Sequence, residues 1–292
     1  KGLSLSEALQ RHPGVFSTLF VSLTKAGEVS GNLDEILDEL ATYLENLDDV
    51  RRKVRSAMTY PIFMVVFLFA MMSAMFMWII PMFSDVYVQL GANLPAATRK
   101  LVSLSEWISI NFSTVVLSLF GVAAGLWLAS KTRRGGYIID SIKLKTPVFG
   151  SLLNQSILNK FSKTAGILLN AGVPVIEAMN LIAKIVSNRV YEVAIGDATE
   201  YIRDGFNITS ALRRTEIFPP ILLQLSATGE ETGELDTLLD KAADYYYKQV
   251  NALVERMTTL IEPILILMVG VIIGVMVVIT YLPVFYLGAA LQ

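Results

Sequence analysis

Cysteine is missing, histidine occurs once, and charge is sparse; each shortage closes off a class of chemistry. Without cysteine the 292-residue chain has no disulfide framework and no thiolate metal site. His12, the single histidine, stands beside Pro13 with no nucleophile motif near it, and reads as a helix-end residue rather than a base. No GxxxxGK[ST] run occurs, so the chain carries no phosphate-binding loop for ATP. The net charge of −2 gives no global reason for nucleic-acid binding. Charged residues make up 17% of the chain, whereas soluble domains carry about 25%. With 53% hydrophobic residues, part of the molecule must sit in something other than water. Lys1 stands where a Met would, and no secretory signal pattern follows it, so Lys1 reads as a trimmed start.

Three windows are long and apolar enough to cross a bilayer, which takes roughly 20 residues. They are Ser56–Ser84 with "PIFMVVFLFAMMSAMFMWIIP", Trp107–Ser130 with "FSTVVLSLFGVAAGLWLAS", and Pro263 onward with "PILILMVGVIIGVMVVITYLP". Basic residues cluster at Arg51, Arg52, Lys53 and Arg55, and again at Lys131, Arg133, Arg134, Lys143 and Lys145. The loop from Asp85 to Glu106 has only Arg99 and Lys100. The basic segments therefore face the cytoplasm, with the loop and the C-terminus outside.

Sliding the chain by 202 residues lays "AGEVSGNLDEIL" on "TGEETGELDTLL". Phe16 falls on Phe218, Gly27 on Gly229, Glu28 on Glu230, Gly31 on Gly233, Asp34 on Asp236 and Tyr43 on Tyr245. Pro61 falls on Pro263 and Pro81 on Pro283, so the outer spans share a frame of prolines. With one residue of slip, "KGLSLSEAL" matches "DGFNITSAL". Similarity over this length indicates a duplicated domain with its span.

Each unit reads as helices. Ser4 to Glu7 has the form of a capping box, and Asn207 suits the matching cap. A helix from about Phe16 is expected to end at Gly27 in a left-handed cap, and the next to start near Asn32 with Asp34 at its positive end. Leu33, Ile36, Leu37, Leu40, Leu44 and Leu47 keep the spacing of one amphipathic face. The second unit has helices ending near Gly172, running from Pro174 to Ile185, and covering "NRVYEVAIGDATEYIRDG", making about six in all. The first unit lacks the opening ones and is expected to be truncated. The repeated phrase then reads as a structural hinge made of Gly27, Glu28, Gly31 and Asp34, and of Gly229, Glu230, Gly233 and Asp236. The competing reading takes Glu230 and Glu234 as hard-cation ligands, but Asn32 replaces the second of them in the first phrase.

The two phrases, the proline-framed spans, "KTPVFGSLL" and "LLNAGVPVIEAM" together resemble the type II secretion system F family, which includes inner-membrane platform proteins of type IV pili. The resemblance covers nearly the whole chain. It implies a non-enzymatic, cofactor-free platform in the bacterial inner membrane, coupling a cytoplasmic ATPase to assembly of pilin or pseudopilin subunits. Other platform components, a second copy of the chain and membrane lipid are the further implied partners, and nucleic acid is not among them.

The rival class is an oligomeric transporter or channel subunit. Transporters keep ionisable residues inside their spans, whereas here the span cores have none and Asp85 and Glu262 sit at the edges. The methionines at 58, 64, 71, 72, 75, 77 and 82 read as lipid-facing or packing filler rather than soft-metal ligands. Gly121 with Gly125 and Gly270 with Gly274 suit helix packing. The expected fold is an all-α membrane protein with two homologous cytoplasmic bundles, the first truncated, and three transmembrane helices. Its expected parts are a cytoplasmic repeat at 1–56, a span at 57–84, a periplasmic loop at 85–108 and a span at 109–130. A second cytoplasmic repeat at 131–258, a span at 259–287 and a periplasmic tail at 288–292 complete it.

Overall fold

A computed structural model describes residues 2–79, 81–82, 96–147 and 149–290, and all regular structure among them is helical. The expected all-α class therefore holds among the described residues. The first part of the expected outer loop, residues 85–95, and the last two residues of the tail lie outside them.

The helices are α1 (Leu5–Gln10), α2 (Thr18–Ser30), α3 (Leu33–Ala74), α4 (Ala96–Lys131), α5 (Arg133–Lys145) and α6 (Phe149–Asn170). They continue with α7 (Val175–Ile185), α8 (Arg189–Arg203), α9 (Ile208–Arg214), α10 (Pro220–Thr232) and α11 (Leu235–Ala290). Side-chain caps set most of the short helices. Ser4 and Glu7 complete the capping box of α1, and Asn188 and Asn207 accept amide hydrogens at the starts of α8 and α9. Pro219 and Pro220 open α10, where a missing N–H costs nothing.

Two compact units result, Lys1–Lys53 with Ala129–Glu255 and Val54–Leu128 with Arg256–Gln292. The first has a continuous apolar core. At its centre the ring of Phe218 lies 5.0 Å from that of Phe161 and 5.8 Å from that of Tyr191. Leu23 of α2 and Ile36, Leu40 and Tyr43 of α3 enter the same core as Leu158, Leu168, Ile195 and Leu222. Each fully buried Leu or Ile contributes about 1.5–3 kcal/mol, so these residues help hold 2–53 against the rest of the unit.

Three details depart from expectation. The buried stripe of α3 runs through Ile36, Leu40 and Tyr43, while Leu44 is 42% exposed. Tyr43 takes the place expected of Leu44 because it stands seven residues past Ile36 and three past Leu40, on the same face; its hydroxyl meets that of Thr164 on α6 at 3.4 Å. The helix before the first phrase continues to Ser30 instead of stopping at Gly27. An additional helix, α5, precedes the six expected in the second segment; Thr132 caps it by accepting from the Gly135 amide at 3.1 Å.

In the second unit, α3 continues through Pro61 as a rod with its apolar side chains outward: Phe63, Val66 and Phe69 are each more than half exposed. A π-helical turn, Met75–Ile79, follows it just before Pro81. Such a widened turn accommodates a proline that cannot donate. Among the described residues, Leu33–Trp78 is the one helical stretch long and apolar enough to cross a membrane, and none of its apolar window is buried. Pro263–Gly274 forms a shorter apolar stretch within α11.

Candidate functional site

The two copies of the repeated phrase lie at the α2–α3 and α10–α11 junctions, and the four glycines divide into two kinds. Gly31 and Gly233 cap α2 and α10 in the left-handed region, with φ of 81° and 78°. A side chain at either position would point into open space, so glycine is needed there for its backbone freedom.

Gly27 and Gly229 do something else. Both lie inside helices, neither has positive φ, and both are buried. A Cβ on Gly27 would stand 3.0 Å from the Leu33 Cα, and one on Gly229 would stand 2.7 Å from the Leu235 Cα. These glycines let the first turn of the following helix fold back onto the preceding one. The left-handed cap expected at Gly27 is therefore corrected to Gly31, four residues on, whose amide donates to the Gly27 carbonyl at 2.9 Å.

Glu28 and Glu230 each reach back to the start of a short upstream helix. Glu28 accepts from the Leu5 amide at 2.5 Å, the Ser6 amide at 3.2 Å and the Ser6 hydroxyl at 2.5 Å. Glu230 accepts from the Ile208 amide at 2.5 Å and the Thr209 amide at 3.0 Å. Helix starts carry unpaired amides, and a carboxylate satisfies them with charge-assisted bonds. The Ser6 hydroxyl, aided by the amides and opposed by desolvation, holds the Glu28 carboxyl below its ordinary range. The Glu230 of the cation reading thus has its oxygens directed at α9. Asp34 and Asp236 lie in the first turns of α3 and α11, where a negative charge complements the helix dipole.

Sequence reasoning missed what surrounds these phrases. Gly166 of α6 lets α11 approach: a Cβ there would lie 3.1 Å from the Asp236 carbonyl oxygen. Lys163 pairs with Asp240 across the same contact. Glu39 of α3 accepts from the Asn170 side chain at 3.2 Å, while its other oxygen is buried without a hydrogen bond. Desolvation pushes the Glu39 carboxyl up. Further along, Asp49 accepts from the Tyr247 hydroxyl at 2.9 Å and pairs with Lys53 at 2.7 Å. Lys53 in turn donates to the Asn251 side chain at 3.1 Å, so α3 and α11 are tied side by side. Residues nearly 200 positions apart carry no local pattern that could have announced these pairs.

The prolines sit differently from the glycines. α3 passes through Pro61 and α11 through both Pro263 and Pro283 without ending, and Pro81 follows the π-helical turn. The structure brings Gly27, Glu28, Gly31 and Asp34 to one junction and Gly229, Glu230, Gly233 and Asp236 to the other, with the prolines at neither.

The geometry at both junctions is that of a helical joint, with glycines admitting the close approach and glutamates holding the upstream helix starts. The family model described as "Type II secretion system (T2SS), protein F" matches residues 1–81 and 161–283. A "Type IV pilus assembly protein PilC" of Thermus thermophilus is 40% identical over 292 residues, covering 97% of this chain and 70% of the relative. Its namesake in Myxococcus xanthus is 35% identical, covering 100% of this chain and 70% of the relative. A "Type II secretion system protein F" of Aeromonas hydrophila is 34% identical over 275 residues, covering 93% of this chain and 70% of the relative.

Proposed function

Because this chain belongs to the type II secretion system protein F family, we propose that it is an inner-membrane assembly platform for a type IV pilus or type II secretion system. In this role it couples a cytoplasmic ATPase to the assembly of pilin or pseudopilin subunits and catalyses no reaction itself. The observation that carries the reading is the pair of long helices. α3 has 42 residues and α11 has 56, about 63 and 84 Å at 1.5 Å per residue. Each starts at a tightly closed joint, contributes to one buried core, and continues without a break into an apolar stretch. A displacement imposed on the bundle can pass along such rods.

The matching joints support reading the chain as one helical unit used twice, each followed by a span, with a third span at 109–130. In this arrangement 1–56 and 131–258 are cytoplasmic, and 85–108 and 288–292 are periplasmic. The eight residues of the two phrases act as the hinges between bundle and rod, and Pro61, Pro81, Pro263 and Pro283 frame the outer spans.

Deleting the gene should abolish filaments or secretion while pilin is still made and inserted in the membrane. Restoring it with a photo-crosslinkable residue at Glu177, exposed on α7, should yield an adduct with the system's cytoplasmic ATPase. Filament assembly that continues without the gene would overturn the reading. Solute flux through the purified chain in proteoliposomes, with no crosslink, would favour a transporter.

A further inference from the structure

Helix α5 has two unlike faces, and the bundle uses only one. On the inner side Gly136 is buried, with a Cβ there only 3.4 Å from the Cγ of Arg189. Asp140, whose side chain is 15% exposed, accepts from the Arg189 amide at 2.9 Å, and Leu144 packs on the core. At 3.6 residues per turn, Arg134, Ile138, Ile142 and Lys145 fall on the opposite side. Ile138 is 57% and Ile142 59% exposed, and Tyr137 beside them is 43% exposed.

The charge on α5 is equally one-sided. Arg133, Arg134, Lys143 and Lys145 lie within it and Lys131 just before it, against the one acid Asp140. That acid is turned inward, to the start of α8 and to Lys143 at 2.9 Å. The outward face therefore combines bare isoleucine with cations and carries no carboxylate. A basic, apolar face of this kind suits the interface of an anionic bilayer, where isoleucines enter the acyl boundary and Lys and Arg meet the headgroups. An acidic protein surface would pair the cations but leave two isoleucines and a tyrosine without an apolar partner. Chain continuity selects the same occupant: α4 ends at Lys131 and α5 begins at Arg133, separated only by the cap residue Thr132.

We propose that α5 is a membrane-surface helix whose Arg134, Ile138, Ile142 and Lys145 face seats on anionic phospholipid of the cytoplasmic leaflet. The proposal rests on reading 109–130 as a span, since that places α5 where the chain leaves the bilayer. It goes beyond that reading by assigning a lipid contact to the bundle itself. A helix held in the core on one side and in the headgroups on the other ties the bundle to the bilayer at a second point besides its long rods.

The absence of cysteine makes the test direct. Single-cysteine variants Ile142→Cys, Val66→Cys and Val29→Cys of the full chain are labelled with a polarity-sensitive fluorophore. They are reconstituted in vesicles of phosphatidylcholine with or without phosphatidylglycerol. Val66 lies in the apolar part of α3, and Val29, 83% exposed on α2, is the aqueous control. Nitroxides on the lipid chains should quench the probes at Ile142 and Val66 but not at Val29, with quenching at Ile142 stronger when phosphatidylglycerol is present. Arg134→Gln in the Ile142→Cys background should lower the seated-to-free ratio roughly fivefold, as expected for about 1 kcal/mol per basic residue. If Val66 is quenched while Ile142 behaves like Val29 in both lipids, the α5 proposal is overturned and the membrane reading stands. If Val66 is not quenched either, both fall.

Discussion

Glu230 offers a clean test because its carboxylate holds two amides at the start of α9. Bonds to charged groups are worth about 1.5–3 kcal/mol, so Glu230→Ala should lower the unfolding temperature measurably in detergent. Glu230→Gln, which keeps an acceptor, should cost less. Faster hydrogen exchange at Ile208 and Thr209 would locate the loss. Calcium that stabilised the parent chain but not Glu230→Gln would contradict this account and return Glu230 to the cation reading. Two other carboxylates act with opposite signs in pH. Hydrogen bonds lower the Glu28 pKa in the folded state, so its contribution is complete above the unfolded value of about 4.3 and is lost as pH falls through the folded one. Desolvation raises the Glu39 pKa, so its ionised form opposes folding and that penalty is relieved as pH falls through the raised value. Glu39→Gln should accordingly raise the unfolding temperature at neutral pH, with the gain shrinking on acidification. A gain independent of pH would show that the charge is not the cause.

Between helices, the four glycines predict an order of damage. At Gly229 an added methyl meets the Leu235 Cα at 2.7 Å. Overpacking costs about 1–3 kcal/mol; the neighbour here is backbone and cannot turn aside, so the cost lies near the upper end and exceeds the roughly 0.5–1 kcal/mol that alanine gains over glycine in a helix. Gly233 has space but a left-handed φ, so alanine there costs about 1–2 kcal/mol and asparagine less. Thermal unfolding should rank Gly229→Ala as most damaging, then Gly233→Ala, then Gly233→Asn; the reverse order would mean that φ and not contact governs the joint. Much at this scale was legible in the sequence. Ser4, Asn207, Gly172 and the helices from Pro174 and Asn188 follow from local capping and turn chemistry. Gly27 was misread because a glycine near a helix end suggests a cap, while its true reason, the Leu33 backbone, lies six residues on. Glu28 reads as a hinge residue from the repeat, but its bonds to Leu5 and Ser6 carry no local signal, since those partners are more than twenty residues upstream. Helix α5 is short and its cations also mark the end of a span, so its basic residues speak for orientation before they speak for a helix. Tyr43 lies on the Ile36 and Leu40 face by helical spacing, and Leu44 at its edge; an aliphatic reading of the stripe leaves the tyrosine out.

For the whole molecule, topology is the most accessible prediction. Cysteine at Ser103 should react with an impermeant thiol reagent in cells whose outer membrane has been opened, and cysteine at Ser187 should react only after lysis. Ser187 is exposed in the structure, so its protection would report the membrane and not the fold. Labelling of Ser187→Cys in place of Ser103→Cys would invert the orientation drawn from the basic clusters. The tie among Asp49, Lys53, Tyr247 and Asn251 has a mechanical meaning for any machine that works by turning. Two rods linked along their flanks resist independent twist, so a torque applied to either is shared by both. The link is exposed and partly ionic, and such contacts weaken as salt screens them, whereas the apolar core they adjoin does not depend on charge. High salt should therefore loosen the polar tie while α3 and α11 stay packed in the apolar core they share.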